Sequence, residues 1–353
     1  MQAFCTLFDS NYLDKGIALY RSLSRVMDRF QLYILPMDEL CKNILMQMSL
    51  QNVTIIPQED FEDDELKAIR LMRTRAEYCW TCTASLLDYV LENYNVEYCT
   101  YLDSDLYFFQ SPYLLLDELY QSDCSVQIVE HRFGKGIKAE KKEEQAGKYC
   151  VQFNTFKNDE NGRHVLKIWK EQCRAHCSMQ DGEMGDQKYL SRWTIEYDCV
   201  QELQNHGGGV APWNIGRYQF VNDDNQIITI RGKDTCQNYP LVFYHFHCLE
   251  YRDDCTVDMH IYKSHLSIDK ELVKRIYYPY LKEIEEIKNN LNDAYGFRPI
   301  IRKHPGGATS TGNKKPLLER IRGKNLVHII NALEDKLTCL LGRKRDIISL
   351  EEL

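Results

Sequence analysis

Short apolar runs alternate with helix-spaced segments through the first half of the chain, and this alternation constrains the fold more than any other feature. An apolar run over residues 3–8 stops at Asp9-Ser10-Asn11, after which Ile17, Leu19, Tyr20 and Leu23 recur at near-helical spacing. A run at 30–35 is broken by Pro36 and precedes a helix-like 39–50, and a third run, 53–56, stops at Pro57. The pattern then predicts a helix over 76–94, strand 98–102, helix 112–120, strand 125–129, a charged loop over 135–148, strand 150–156 and helix 162–177. Such alternation builds βαβ units, so the expected fold class is α/β, a Rossmann-like, mostly parallel sheet flanked by helices. After Gly182 the pattern gives way to DGEMGDQKYL and GGGVAPWN before a closing strand at 241–246. Irregular segments on a rigid scaffold are where function concentrates.

The chain divides into a main domain over 1–265, a helical extension over 266–300, a flexible linker over 301–315 containing HPGGATSTGNKKP, and a basic amphipathic helix over 316–353. With 353 residues and 44% apolar content there is enough material for a sizeable core. A net charge of only −8 argues against both disorder and nucleic-acid coating, so no nucleic acid is expected as a partner. Basic residues concentrate in the tail, where Arg320, Arg322, Lys324 and Lys336 accompany an apolar stripe of Leu318, Ile321, Leu326, Ile329, Leu333, Leu337 and Leu340. Two occupants suit that stripe: an anionic lipid surface, giving peripheral membrane contact, or another protein surface.

Met1 leads straight into AFCTLF without an export signal, and no apolar run approaches the ~18 residues of a membrane span. The expected location is cytoplasmic, peripheral on the inner face of the membrane if the tail binds lipid. The 14 cysteines are then reduced thiols. Cys79-x-x-Cys82 and Cys173-x3-Cys177 have the spacing of a zinc site, but thiols packed in the interior are the simpler account.

Asp103 and Asp105 stand two apart at the C-terminal end of an apolar strand, where open parallel sheets place their ligand crevices. Close carboxylates repel, and a hard divalent cation is their usual partner. In Tyr244-His245-Phe246-His247 two histidines flank an aromatic and share one face of a strand. Imidazole alongside carboxylate suits Mn²⁺ or a similar ion.

FCTLFDSNYLDKGIALYRSL, RTRAEYCWT, YLDSDLYFF, DGEMGDQKYL, GGGVAPWN and YHFH occur in that order. With these motifs, spread over roughly residues 1–258, the chain resembles the GT-A-fold nucleotide-diphospho-sugar glycosyltransferases, bacterial relatives of glycosyltransferase family eight. The resemblance makes 1–265 a GT-A catalytic domain. It implies Mn²⁺ (or Mg²⁺) held by Asp103, Asp105 and His245. It places Thr6, Asp9, Tyr12, Arg75 (or, less well matched, Arg73), Asp103, Asn154 and His247 on the donor, a UDP- or GDP-sugar. Asp186 and Gln187 fall near the transferred sugar, as catalytic residues. His131, Trp213 and Asn214 line the acceptor side, facing a glycan or lipid-linked acceptor in polysaccharide biosynthesis.

The chain departs from the family pattern at Phe153-Asn154-Thr155-Phe156, which lacks the usual glycine, and at Cys248, where a glycine is expected after the metal-binding histidine. Retention at the sugar carbon is the expected outcome; the alternatives are inversion with Asp186 as base, or a catalytically silent nucleotide-sugar-binding or scaffold protein. Asp186 also has a purely structural alternative, as the N-cap of a helix over 188–193.

Overall fold

The computed structural model describes residues 1–134, 136–178, 184–221, 227–251, 256–261, 269–299 and 347–352. In chain order the first half gives β1 (Gln2–Phe8), α1 (Leu13–Val26), β2 (Phe30–Pro36), α2 (Glu39–Met48), β3 (Val53–Ile55), α3 (Gln58–Phe61), α4 (Asp64–Met72), α5 (Arg75–Asn93), β4 (Tyr98–Leu102), β5 (Leu106–Phe108), α6 (Tyr113–Tyr120) and β6 (Val126–Glu130). The second half gives α7 (Ile137–Ala146), β7 (Tyr149–Lys157), α8 (Glu160–Ala175), α9 (Trp193–Glu196), β8 (Val200–Glu202), β9 (Tyr218–Val221), β10 (Thr229–Gly232), β11 (Asn238–Pro240), β12 (Phe243–His245), β13 (Glu250–Tyr251), β14 (Thr256–Asp258), α10 (Lys270–Tyr295) and β15 (Ile347–Ser349).

Seven strands form the central sheet in the order β3-β2-β1-β4-β7-β6-β8. Six run one way, and β7 alone is antiparallel to its neighbours β4 and β6. The α/β class expected from the sequence is therefore what the structure shows. Successive β1 side chains serve opposite faces, as the two-residue period of a strand requires. Phe4 and Phe8 join a core with α1, α2 and α10, whereas Ala3, Cys5 and Leu7 join a core with α5 and α8. Gly16 lets α1 lie directly on β1, since a Cβ there would meet the Phe8 ring at 2.4 Å.

The order reverses between β1 and β4, whose neighbours lie on opposite sides, and this switch opens a crevice at their C-terminal ends. One side of it is built by a two-stranded ribbon in which β5 pairs antiparallel with β12, with His245 opposite Leu106. The glycine-rich segment runs beside β12: Val242 N–H donates to Gly207 O (2.8 Å) and His245 N–H to Val210 O (2.9 Å). Helix α10 braces the ribbon from behind, with Tyr280 stacked on Phe246 at 3.6 Å and the Tyr277 and Tyr244 hydroxyls 2.8 Å apart. Glu283 of α10 pairs with Arg25 at 2.7 Å and accepts from the Tyr107 hydroxyl at 2.6 Å.

Three local expectations change. The charged segment expected as a loop contains helix α7, because its Lys, Glu, Gln and Ala are strong helix formers between Gly136 and Gly147. Residues 57–72, which the apolar pattern left without an element, hold α3 and α4. The expected linker at 301–315 and most of the C-terminal helix at 316–353 lie outside the described residues. The end of that segment is a strand: β15 pairs antiparallel with β14, consistent with its β-branched Ile347 and Ile348. Among the described residues no helix is long and apolar enough to cross a membrane.

Candidate functional site

Asp103 leaves β4 in a tight turn closed by Leu106 N–H donating to Asp103 O at 3.2 Å. The turn aims both carboxylates at the ribbon, where Phe246 N–H donates to Asp105 O at 2.9 Å. His245 Nε2 lies 3.0 Å from Asp105 Oδ1 and 3.7 Å from Asp103 Oδ2. Two strands far apart in sequence thus deliver one carboxylate pair and one imidazole to the same spot.

Gln152 of β7 fixes this arrangement twice. Its carbonyl accepts from Asp103 N–H at 3.1 Å, and its side-chain Oε1 lies 3.0 Å from His245 Nδ1. An amide oxygen only accepts, so Nδ1 carries a proton and Nε2 is turned toward the carboxylates. Among the described residues one group has the proximity for a metal ion, Asp105, His245 and His247, whose ligand atoms all lie within 4.8 Å of one another. Asp103 borders that group through His245. One carboxylate with two imidazoles fits Mn²⁺ better than Mg²⁺, which prefers oxygen ligands. Cys79, Cys82, Cys173 and Cys177 form no such group. Three of them are buried, and burial pushes all four thiols up, as in packed interior residues.

The electrostatics divide the two carboxyls. Burial, reinforced by Asp105 and Asp186 and opposed by His245, pushes Asp103 up to about 8. Burial also disfavours charge on Asp105, but His245, Lys15 and His247 outweigh it and hold this carboxylate below the ordinary range. His245 rises despite its burial because Asp105 and Asp103 favour the imidazolium. The two carboxyls are thus pushed in opposite directions, Asp103 toward its neutral form and Asp105 toward its charged form.

Asp186 is 5% exposed and gives no side-chain cap to the following 3₁₀ turn, Gln187–Arg192. This removes the helix-cap alternative. Burial pushes the carboxyl up to about 7, opposed by the Thr83 hydroxyl and by the backbone N–H groups of Asp186 and Gln187. Trp169 Nε1 donates to Asp186 O at 3.0 Å, anchoring the segment. Gln187 points elsewhere, with Nε2 donating to Ala146 O at the end of α7 (2.9 Å).

Among the residues expected on the donor side, Arg75 begins α5 and binds two carboxylates, Asp9 through Nε (2.7 Å) and Asp38 through Nη2 (2.8 Å). Its side chain remains half exposed. Arg73 is occupied elsewhere, donating to the carbonyls of Cys173 and Arg174 near the end of α8 (2.6 Å each). The two arginines thus lie in different surroundings, Arg75 at the turn after β1 and Arg73 at the end of α8. Asp38 also accepts from Ser10 N–H and hydroxyl (3.0 and 2.9 Å), and Asp9 from Asn11 N–H (2.9 Å), which shapes the turn ahead of Tyr12. Tyr12 is partly exposed, with the Lys15 ammonium 3.9 Å from its ring centroid. Thr6 and Asn154 are fully buried; the Thr6 hydroxyl and both polar atoms of the Asn154 amide lack hydrogen-bond partners.

The residues expected on the acceptor side form a continuous aromatic wall with the histidines. His131 stacks on Phe133 at 4.5 Å and meets Trp213 at 5.2 Å; Trp213 lies 5.3 Å from His245 and 5.4 Å from His247. Trp213 Nε1 and Asn214 Nδ2 each donate to His131 O at 2.8 Å. Asn214 is fully buried and also bonds Gly209 O and Ala211 N–H, so its amide holds the loop that presents Trp213. Cys248, at the expected glycine position, has φ = 60°, a left-handed conformation that favours glycine.

Sequence reasoning missed Gln152, Thr83, Asp38 and Lys15. Gln152 and Lys15 carried a signal: a glutamine inside an apolar strand needs a partner, and a cation in the first turn of a helix opposes the helix dipole.

The chain is 32% identical over 252 residues to the uncharacterized protein YfnF of Bacillus subtilis (strain 168), covering 69% of this chain and 80% of YfnF. It belongs to the family of YfnF. A second protein of that strain, the uncharacterized YfnD, is 27% identical over 306 residues, covering 84% of this chain and 94% of YfnD. No profile of a known protein family matches the chain. Among solved structures, the galactosyltransferase LgtC in complex with donor and acceptor sugar analogues aligns with 81% of this chain and 96% of its own, at a TM-score of 0.45 and 12% identity.

Proposed function

We propose that this chain is a GT-A-type glycosyltransferase that moves a sugar from a UDP- or GDP-sugar to a glycan or lipid-linked acceptor in polysaccharide biosynthesis, with retention. The observation that carries the reading is the convergence of Asp103, Asp105, His245 and His247 at the sheet's switch point, between a nucleotide-sized turn (Asp9, Tyr12, Arg75) and the Trp213 wall. Asp103, Asp105 and His245, joined by His247, would hold a divalent ion, Mn²⁺ rather than Mg²⁺. Such an ion stabilises negative charge on a departing diphosphate.

The protein's own residues do the rest. Tyr12 offers an aromatic face to the base, and Arg75 keeps the Asp9 turn in shape beside it. Asn154 has an amide with no internal partner on a strand next to Asp103, which suits a sugar hydroxyl. Trp213 offers a flat face to the acceptor sugar. In a retaining transfer the bond from the anomeric carbon to the diphosphate breaks, the acceptor oxygen bonds on the same face, and its proton passes to the leaving diphosphate. Inversion is the second reading, supported by Asp186: a buried carboxyl with a pKa raised to about 7 is suited to take a proton near neutrality.

The test is a thermal-shift screen of UDP, GDP, ADP, CDP and dTDP with Mn²⁺, followed by donor hydrolysis. One diphosphate should raise Tm only with the metal, EDTA should abolish hydrolysis and Mn²⁺ restore it, and Asp105→Ala should lower turnover by about 10³-fold or more while the protein stays folded. Full hydrolysis in EDTA would sink the metal-dependent reading, and no response to any diphosphate would sink the transferase.

A further inference from the structure

Resting on the transferase reading, we infer that Lys15 is a binding residue for the donor's diphosphate, acting beside the Asp/His cluster. Lys15 lies in the first turn of α1, with its ammonium over the Tyr12 ring at 3.9 Å. No carboxylate of the described residues forms an ion pair with it. That is an unusual place for an unpaired cation, because the positive end of a helix favours an anion. A ring face at 3.9 Å offsets part of the cost and fixes the direction of the side chain.

The surroundings point to the same ligand. The groups that interact electrostatically with Lys15 are Tyr12, Asp105, Asp14 and Cys248. Asp14 is buried and bonded to the Lys15 backbone N–H, so it belongs to the helix. Asp105 is already in contact with His245 at 3.0 Å. Lys15 thus stands between Tyr12 and Asp105 with a ring face as its close contact. The side chain is half-buried rather than splayed into water. A nucleoside diphosphate whose base lies at Tyr12 and whose metal lies at Asp105 must run its phosphates between these two points, where Lys15 stands. An ammonium suits this role as a point charge. The alternative is a surface lysine that covers Tyr12 and touches no ligand.

The experiment compares wild type, Lys15→Met, Lys15→Gln and Lys15→Arg by titration calorimetry in Mn²⁺, using the best nucleoside diphosphate from the thermal-shift screen and its parent nucleoside. Losing one charge-assisted contact should weaken diphosphate binding by about 10- to 100-fold in Lys15→Met and leave nucleoside binding within about 3-fold. Lys15→Arg should retain most of the affinity, and Lys15→Gln gives the same reading as Lys15→Met if the latter melts early. Undiminished diphosphate binding, or an equal loss for diphosphate and nucleoside, would overturn the assignment and leave the transferase standing. A wild type that binds no nucleoside diphosphate would overturn the transferase and the Lys15 assignment together.

Discussion

The two walls of the crevice are built in different ways. The proposed donor wall comes from consecutive βα units: β1 supplies Asp9 and the turn to Tyr12, β2 leads to Asp38, α5 begins with Arg75, and β4 ends at Asp103. The proposed acceptor wall is assembled across longer loops, with Trp213 and Asn214 pinned to the carbonyl of His131, 82 and 83 residues earlier, and the loop before them laced to β12. Donor-side geometry follows from sheet order; acceptor-side geometry depends on a few side-chain bonds to backbone. The acceptor wall can therefore be changed without disturbing the nucleotide turn.

The largest effect that would sharpen this contrast lies where the walls meet, at Asp186. Asp186→Asn should lower turnover by about 10²- to 10³-fold with little change in donor affinity if the carboxyl acts at the reacting sugar. The same change should raise stability at high pH. A buried carboxyl raised to about 7 stabilises the fold only below its unfolded value near 4, and that contribution is lost as pH climbs through 7. At pH 8 the variant should be more stable by about 4 kcal/mol, measured by denaturant unfolding against wild type. Unchanged turnover with raised stability would make Asp186 a buried structural acid instead.

Next in size is Gln152, which bonds His245 of the proposed metal cluster. Gln152→Ala removes the acceptor for His245 Nδ1–H and should weaken Mn²⁺ binding by about 10- to 100-fold, as read by titration without any sugar donor. Gln152→Glu, which keeps an acceptor oxygen, should recover most of the affinity. Equal Mn²⁺ affinity in all three proteins would show that the imidazole is held by the ribbon alone.

What could be read from the sequence follows the same division. The strand and helix pattern up to residue 177 placed β1, β2, β4, β6 and β7 and helices α1, α2, α5, α6 and α8, because apolar periodicity reports burial in a layered sheet directly. Asp103, Asp105 and His245 were legible because their residue types are costly together without a ligand. Helix α7 was not, since charge density reads as solvation in a loop as well as on a helix. Nor were the bond of Gln152 to His245 and the placing of Lys15 over Tyr12, which depend on register and on rotamer. Asn214 was expected on the acceptor side; its amide turns inward to the backbone.

A smaller effect tests the independence of the acceptor wall. Trp213→Ala should raise the acceptor KM by about 10-fold through loss of the stacking surface while leaving donor hydrolysis and diphosphate affinity unchanged. If donor hydrolysis falls in parallel, the wall also orders His245 and His247 and the two sides are not separable.

The smallest expected effect concerns stability alone and is carried by His131. This side chain is 4% exposed, stacked on Phe133 and against Trp213, with Nδ1 at 3.3 Å from Lys148 O. Burial lowers its pKa to about 3, against about 6.5 for a free imidazole. The sign follows directly. Between these values the unfolded chain binds a proton that the folded protein refuses, so the neutral, buried ring contributes stability above pH 6.5 that is lost as pH falls toward 3. From pH 6.5 to 5 this amounts to about 2 kcal/mol. His131→Phe keeps the aromatic contact and cannot titrate, so it should lose less stability than wild type over that range by about the same amount. It should also be less stable than wild type at pH 7, by about 1 kcal/mol for the lost bond to Lys148 O. Denaturant unfolding at pH 7 and pH 5 on both proteins measures the difference, and every other titrating group cancels in the comparison. Parallel losses in the two proteins would mean that His131 takes up its proton without leaving the wall, and acid would then spare the acceptor side instead of loosening it before the donor side.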